Sequence, residues 1–412
     1  MTTKSNANKN WPSTILHIDS DAFFASCEKV VSPYLKNRPV VTGAERGIAT
    51  SVCYIAKKLG IKRGMLIKDI KKQFPQVVIR NSQYKLYTLI SNKMTKILAR
   101  FCDKIENYSI DESFLDLTEL GSFYNHSYTK LGATIKNTIK KELDITVSIG
   151  ISLTKTLAKL ASKHRKPDGL TVVAKDQIKN FLSQIAIQDV WGIGNKTANK
   201  MIKLGIKTAL DFTNQNINFI KTYFYKPQIE TYFELKGIKI YDIILKKEKP
   251  KSITRSQTFY PPTKNIKIIK SHLSANIDSA FRQLRKLNLL TNKIIIFIKT
   301  QQFIYLKSEI NLPCYTAYPL LIYKRIDREL IKIYQPNLEY RATGVVLLNL
   351  KSADLRQLQI FADPDKEAKL QSLYEKIDLI NQKYPNCLTT GLQTYTKPHK
   401  QKKGLFLLNI KV

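Results

Sequence analysis

Tyr108-Ser109-Ile110-Asp111-Glu112-Ser113 sets two adjacent acids among small polar residues, and Phe114-Leu115-Asp116-Leu117 follows with apolar and polar residues in alternation. The pattern predicts a β-hairpin: a strand ending near Tyr108, a tight turn, and a strand from Ser113 to Leu117. Acids at such a turn lie at a sheet edge, where they can face water, a metal or a substrate. On its own the pair reads more readily as a solvated turn, because Asp is favoured there for its own backbone hydrogen bonds. A second stretch shifts that balance.

Ile15-Leu16-His17-Ile18-Asp19 is a short apolar run ending in an acid. It reads as a buried strand with Asp19 at its C-terminal end. Ser20 to Glu28 then turns into a helix, with Asp21 as the expected cap. If the two strands are neighbours, the carboxylates of Asp19, Asp111 and Glu112 converge at the mouth of one sheet. Carboxylate oxygens with room for water and phosphate suit Mg²⁺. Two such ions about 3.5–4 Å apart would clamp the attacking and leaving oxygens of a phosphoryl transfer.

The 412 residues suffice for roughly two to four domains. Lys and Arg number 68 against 32 Asp and Glu, a net charge of +36. That excess points to a polyanionic partner, nucleic acid before membrane. Lys, Ile and Asn are abundant throughout, so part of it is compositional. The five cysteines (Cys27, Cys53, Cys102, Cys314, Cys387) show no zinc or redox spacing. Inert thiols in a reducing cytoplasm are the expectation. Residues 1–10 are polar and read as a disordered tail, with no signal peptide. No run approaches the ~18 apolar residues of a membrane span. A soluble cytoplasmic protein is expected.

Ile18-Asp19-Ser20-Asp21-Ala22-Phe23-Phe24-Ala25-Ser26-Cys27-Glu28 and Tyr108-Ser109-Ile110-Asp111-Glu112-Ser113-Phe114-Leu115-Asp116 together resemble the two catalytic motifs of Y-family (translesion) DNA polymerases. The branch of bacterial DNA polymerase IV is most similar, with the polymerase V catalytic subunit as the alternative. The resemblance runs from about Ile15 to Asn381, with the motifs in the family's order. It implies a multidomain α+β right hand: a ferredoxin-like palm (11–22 and 82–171), small fingers (23–81), a helical thumb with a helix-hairpin-helix (172–240), a linker (241–250), an α/β little finger (251–350) and a C-terminal tail (351–412).

The resemblance also implies site residues. Asp19, Asp111 and Glu112 would be catalytic and would hold two Mg²⁺ ions. Ser20, Phe23, Phe24, Tyr54, Lys57 and Lys166 would contact the incoming deoxynucleoside triphosphate. Phe24 would be the aromatic steric gate that abuts the sugar 2′ position; by periodicity alone it fits equally as a core aromatic beside Phe23. The family usually has Arg where Lys57 stands, and Lys keeps the charge but loses the bidentate fork. An ordinary exposed helical Lys is the competing reading. Gly60 is placed to cap the helix that carries Tyr54 and Lys57. Lys166 stands in Lys166-Pro167-Asp168-Gly169, after Thr154-Lys155-Thr156-Leu157-Ala158-Lys159, where the family pattern begins with Asn in place of Thr154.

Two helices are expected over 84–101 and 129–142, with a buried strand over Ile145–Ser152. The first should bury Leu86, Leu89, Ile90, Met94, Ile97, Leu98 and Phe101. With the strands already described, this gives β–α–β–β–α–β. Gly192-Ile193-Gly194 between two helices resembles the family's DNA-backbone hairpin, with Lys196 beside it; Gly-X-Gly also occurs in ordinary tight turns. Trp191 reads as core. Beyond Pro250, strand-like runs (251–259, 293–299, 341–350) alternate with a helical one (281–287), as in the little finger. Basic residues on its sheet would grip duplex phosphates. Gln357-Leu358-Gln359-Ile360-Phe361 resembles the sliding-clamp-binding motif, through Gln357, Leu358, Ile360 and Phe361. Residues 365–384 read as an amphipathic helix with Leu370, Leu373, Ile377 and Ile380 on its apolar stripe.

The implied activity is error-prone, template-directed DNA synthesis past lesions, in damage tolerance and repair. No second acidic cluster suggests a proofreading exonuclease. Expected partners are primer-template DNA, deoxynucleoside triphosphates and a sliding clamp, with the chain a monomer and no membrane involved. The competing classes are a nucleic-acid-binding scaffold without chemistry and a two-metal nuclease.

Overall fold

Strand β1 (Ile15–Ser20) is followed by three short strands, β2 (Val40–Thr42), β3 (Ser51–Val52) and β4 (Val78–Arg80). Then come β5 (Ile105–Asn107), β6 (Glu112–Asp116), β7 (Val147–Ser152) and β8 (Leu170–Val172). The computed structural model describes residues 11–124, 127–246, 248–355 and 364–384, together with Leu388. The strands form a five-stranded sheet in the order β5-β6-β1-β7-β8 and a three-stranded sheet in the order β3-β2-β4. In the first sheet β1 runs antiparallel to both neighbours, with Asp19 opposite Glu112 on β6 and Ser148 on β7. Strand β5 pairs antiparallel with β6 as the expected hairpin, and β8 is parallel to β7.

Side chains alternate across a strand, so β1 serves two layers. Leu16 and Ile18 join Leu115, Val147, Ile149 and Ile151 under the helices Tyr84–Leu98 and Tyr128–Leu143. Ile15, His17 and Asp19 face the other way, toward the helix Lys155–His164; Ile15 and Phe114 bury against its Ala158. Those two helices and the four strands β5-β6-β1-β7 make the β–α–β–β–α–β layout. Within Tyr84–Leu98 the buried stripe is Tyr87, Ile90, Met94, Ile97 and Leu98. Tyr87 takes the place expected of Leu89, which is exposed.

The Lys155–His164 helix lies very close to the sheet. Gly150, opposite His17 on β7, permits this: a Cβ there would fall 2.1 Å from the Ala158 carbonyl oxygen and 2.2 Å from the Ser162 nitrogen. Thr154 caps the helix, its Oγ1 accepting from Leu157 N–H at 3.3 Å and donating to the Glu234 carbonyl at 2.9 Å. The buried Glu234 carboxylate accepts from Thr156 N–H (3.0 Å) and also from Ile240 N–H (2.7 Å) and Tyr241 N–H (3.0 Å). Lys155 forms a buried ion pair with Glu106 at 2.7 Å, and Glu106 also accepts from Ile244 N–H at 2.8 Å.

The β3-β2-β4 sheet builds its own small core from Val40, Val41, Ile61 and Ile70. Its helix Tyr54–Lys58 ends as expected at Gly60, whose φ of +91° lets Gly60 N–H reach Lys57 O and Ile61 N–H reach Ala56 O. Short helices between Ile178 and Leu235 gather around Phe212, Met201 and Tyr232.

A second compact unit begins beyond Lys246. Strands β9 (Ile253–Thr263), β10 (Leu289–Thr300), β11 (Tyr305–Thr316) and β12 (Tyr340–Leu348) form an antiparallel sheet in the order β11-β10-β12-β9. Ile294, Ile296 and Ile298 of β10 share a core with the helices Ile266–Lys286 and Tyr323–Ile333. The helical run expected over 281–287 is the end of a helix of 21 residues. The last helix, Pro364–Lys383, buries Leu370 and Tyr374, whereas Leu373 and Ile380 of the expected stripe are exposed. Tyr374 displaces them because it stacks on Tyr318 at 5.6 Å and under Arg285 at 4.4 Å. The stretch 357–361 lies outside the described residues. No described helix is long and apolar enough to cross a membrane.

Gly150→Ala should destabilise the first unit by about 1–3 kcal/mol through overpacking. Urea unfolding followed through the full chain should show an earlier first transition; an unchanged midpoint would contradict the close approach.

Candidate active site

The β1–β6 register brings Asp19 and Glu112 side by side at the end of the sheet, with Asp111 one residue before β6. The Ser20 N–H donates to the Asp111 carbonyl at 3.0 Å, which continues the pairing past the acids. The hairpin closes through Tyr108 and Ser109 N–H groups on the Glu112 carbonyl, both at 3.1 Å. The Asp111 carboxylate accepts from Ser109 Oγ at 2.5 Å.

Each of the other two acids faces a lysine. Lys159 Nζ lies 2.5 Å from Glu112 Oε2. Lys166 pairs with Asp19 Oδ1. Behind Glu112 sits the fully buried His17, its Nε2 3.8 Å from Glu112 Oε2 and its Nδ1 sharing a 2.7 Å hydrogen bond with Ser162 Oγ. At 3.8 Å the Nε2 contact is too long for a hydrogen bond. Burial pushes the imidazole down to about 4, so His17 is neutral at pH 7.

Similar burial has opposite outcomes for the two acids. Burial pushes Asp19 up to about 6, against the downward pull of Lys166. Burial also pushes Glu112 up, but the Lys159 ammonium at 2.5 Å outweighs it, and the carboxyl lies at about 2.

The loop after the Lys155–His164 helix is set by Asp21, which is not the helix cap expected of it. Ala22, at φ 47°, is the residue before the helix Phe23–Val31, with no side-chain cap. Asp21 instead turns back into the sheet, accepting from Ser148 Oγ (2.9 Å) and from Asp168 N–H (2.8 Å). That second bond fastens the Lys166-Pro167-Asp168 loop over β1 and delivers Lys166 to Asp19.

Tyr54 and Lys57 come to the same place from the neighbouring small sheet. Burial raises the Tyr54 hydroxyl to about 12, with the charges of Asp21 and Asp19 adding to it. Lys57 Nζ lies over the Tyr54 ring at 4.0 Å. Burial and then the charge of Lys166 lower its ammonium, against the pull of Asp21 and Asp19.

Phe24 is half-buried and stacks on Tyr87 at 4.4 Å with rings 12° from parallel. Tyr87 Oη donates to the buried Glu28 at 2.7 Å, and Gln83 Nε2 and Arg80 Nε hold the same carboxylate. Phe23 is core, 3 % exposed. The Ser20 hydroxyl points to Met94 Sδ on the opposite face of the sheet. Any ligand contact from these two is therefore through the main chain.

In the helical region Gly192 has φ +85°, and Gly194 precedes the helix Asn195–Lys203 with open space where a Cβ would stand. Ile193 is buried and anchors the hairpin, while Lys196 is exposed. Trp191 packs on Tyr108 (5.6 Å), Phe114 (6.1 Å) and Tyr241 (6.0 Å), which brings that hairpin to the acidic turn.

The sequence motifs assign His17 and Lys159 no role. Both had a signal: His17 is two residues before Asp19 on the same strand face, and Lys159 is four residues after Lys155, on one side of the helix. The carboxylate donors suit a hard divalent cation. Among the described residues no three potential metal ligands stand gathered around one point, and Asp19 and Glu112 are each paired with an ammonium group.

Residues 18–163 match the impB/mucB/samB family, 175–206 its helix-hairpin-helix motif, and 250–360 its C-terminal domain. A DNA polymerase IV of Ureaplasma parvum is 30 % identical over 359 residues, 85 % of this chain and 98 % of the relative. A DNA polymerase IV of Listeria innocua is 29 % identical over 349 residues, 84 % and 98 % of the two chains. Among solved structures, a Y-family DNA polymerase chimera of Dbh and Dpo4 superposes with a TM-score of 0.71 at 27 % identity, covering 82 % of this chain and 99 % of that one. An insertion ternary complex of Dbh DNA polymerase gives 0.54 at 26 % identity with the same coverage. With paired acids on a ferredoxin-like sheet and these similarities along most of its length, the chain belongs to the Y family of DNA-directed DNA polymerases.

Proposed function

We propose that this chain is an error-prone translesion polymerase. It extends a primer on a template with deoxynucleoside triphosphates, without proofreading, in damage tolerance. The observation that carries this is the pairing of Asp19 with Glu112 across β1 and β6, next to Asp111, with Tyr54, Lys57 and Lys166 around them. The five-stranded sheet would be the palm, the three-stranded sheet the fingers, the helices from Ile178 to Leu235 the thumb and the second unit the little finger.

Asp19, Asp111 and Glu112 would hold two Mg²⁺ ions. Bound there, the ions would lower the pKa of the primer 3′-hydroxyl and neutralise the triphosphate and the departing pyrophosphate. The chain's own groups bind and orient the substrate. Lys166 and Lys57 supply positive charge beside the phosphates, and Tyr54 a hydroxyl donor. Phe24 presents a wall to the sugar. That wall cannot retreat, because Tyr87 stacks behind it and is itself fixed by Glu28.

The Gly192-Ile193-Gly194 hairpin, with Lys196, would bind the DNA backbone without reading sequence. Clamp binding through Gln357, Leu358, Ile360 and Phe361 rests on the sequence motif. The chain would act as a cytoplasmic monomer, its high net positive charge opposing self-association.

Primer extension with the purified chain, Mg²⁺ and all four deoxynucleotides tests the reading. Asp111→Asn should lower kcat by at least ~10²–10³, the loss seen when one charge-stabilising group is removed from a polar active site. Equal extension by wild type and variant would point to a contaminant or to a scaffold. Phe24→Ala should retain DNA synthesis while its ribonucleotide to deoxynucleotide ratio rises by ~10-fold or more, about 1.4 kcal/mol of lost discrimination. An unchanged ratio would remove the gate assignment.

A further inference from the structure

Lys159 has no part in the reading above, yet it makes the closest contact to Glu112. Its Nζ is 2.5 Å from Glu112 Oε2. The same ammonium lies 4.6 Å from the Tyr108 ring centroid and 5.4 Å from that of Trp191, two rings in edge-to-face contact at 5.6 Å. Its helix is held firmly at the other end: Lys155, one turn earlier, is locked to Glu106, and the first turn is capped by Thr154 and Glu234. The Lys159 stem therefore starts from a fixed point, with one acidic and one aromatic neighbourhood in reach.

We propose that Lys159 is a positioning residue that competes with a divalent cation for Glu112, holding the carboxylate until an ion arrives and then shifting toward the Tyr108 and Trp191 rings. This rests on the reading of Asp19, Asp111 and Glu112 as the metal-holding acids. Two positive charges cannot both sit at hydrogen-bonding distance from one carboxylate oxygen without strong repulsion. An ammonium leaving Glu112 needs a second favourable seat, and an aromatic face supplies one by cation–π attraction. Trp191 immediately precedes the Gly192-Ile193-Gly194 hairpin. Loading of the acidic site is thereby communicated to the element proposed to grip DNA.

The test uses the full chain and Mn²⁺ alone, with free ion counted by electron paramagnetic resonance. A Trp11→Phe background leaves Trp191 as the fluorescent reporter. In that background Mn²⁺ should bind and change the Trp191 emission with the same midpoint. Lys159→Met should bind Mn²⁺ roughly 5-fold or more tightly, the lower end of a typical coupling between two binding events, while the emission change disappears. Lys159→Arg should keep the starting affinity, and Lys159→Gln should follow Met if Met perturbs folding. Equal Mn²⁺ affinity in all forms, with the emission response intact, would overturn the competition. If Glu112→Gln and Asp111→Asn also bind as the wild type does, the metal-site reading falls, and the competition with it. Glu112-dependent binding that Lys159 does not affect would overturn the competition alone.

Discussion

The register of β1 between β6 and β7 is the constraint on which the rest depends. A slip of one residue would exchange the two faces of the strand, sending Asp19 into the apolar layer and Ile18 out of it. Both faces resist that slip. Leu16 and Ile18 are fully buried beneath two helices, and on the other side Ile15 and His17 are fully buried too. Gly150 sits opposite His17, where a helix comes so near that no side chain fits. Hydrophobic packing on both faces thus holds two carboxylates opposite each other at the strand ends, where packing stops.

Such an arrangement concentrates negative charge in partial burial, and the neighbours decide how each acid responds. Glu112 gains a lysine at 2.5 Å, and its charged form is favoured despite burial. Asp19 has one lysine, but it also feels Glu112 and Asp111, and burial prevails. The two lysines come from one stretch, Lys159 on a helix and Lys166 on the loop after it. Asp21 ties that loop down by one hydrogen bond to the Asp168 amide. The electrostatics of the acids therefore rest on elements that are distant in sequence yet joined by side-chain carboxylates.

Much of the fold is legible in the residues. The apolar run ending in Asp19, the acidic turn before Phe114, and the Gly60 stop signal each have a local cause that survives in the folded chain. The family is legible in the two acidic motifs, and the similarity to known polymerases agrees with them. What escapes local reading is tertiary in origin. Tyr87 displaces Leu89 from the buried stripe because its hydroxyl finds Glu28, a residue two segments away. Asp21 looks like a helix cap but serves the sheet, because Ser148 and Asp168 arrive from later in the chain. The Ser20 hydroxyl faces Met94 because strand alternation outranks motif membership. In sequence Lys159 is one of many positive charges in a strongly basic chain; only the sheet beside it reveals its partner.

Glu106 sets where the first unit can end. Its carboxylate neutralises the buried Lys155 ammonium and also accepts the Ile244 N–H, while Ile243 packs on Ile15, Phe114 and Ala158. By composition, the charged run from Ile243 to Pro250 looks like spacer that could be trimmed without loss. Its first residues are instead structural members of the sheet layer that carries the acids. A catalytic fragment cut at residue 240 would open that apolar patch and strip an amide from a buried ion pair, whereas one ending at Lys246 would retain both. Where the tether begins is therefore decided by an acid on β5, more than a hundred residues earlier in the chain.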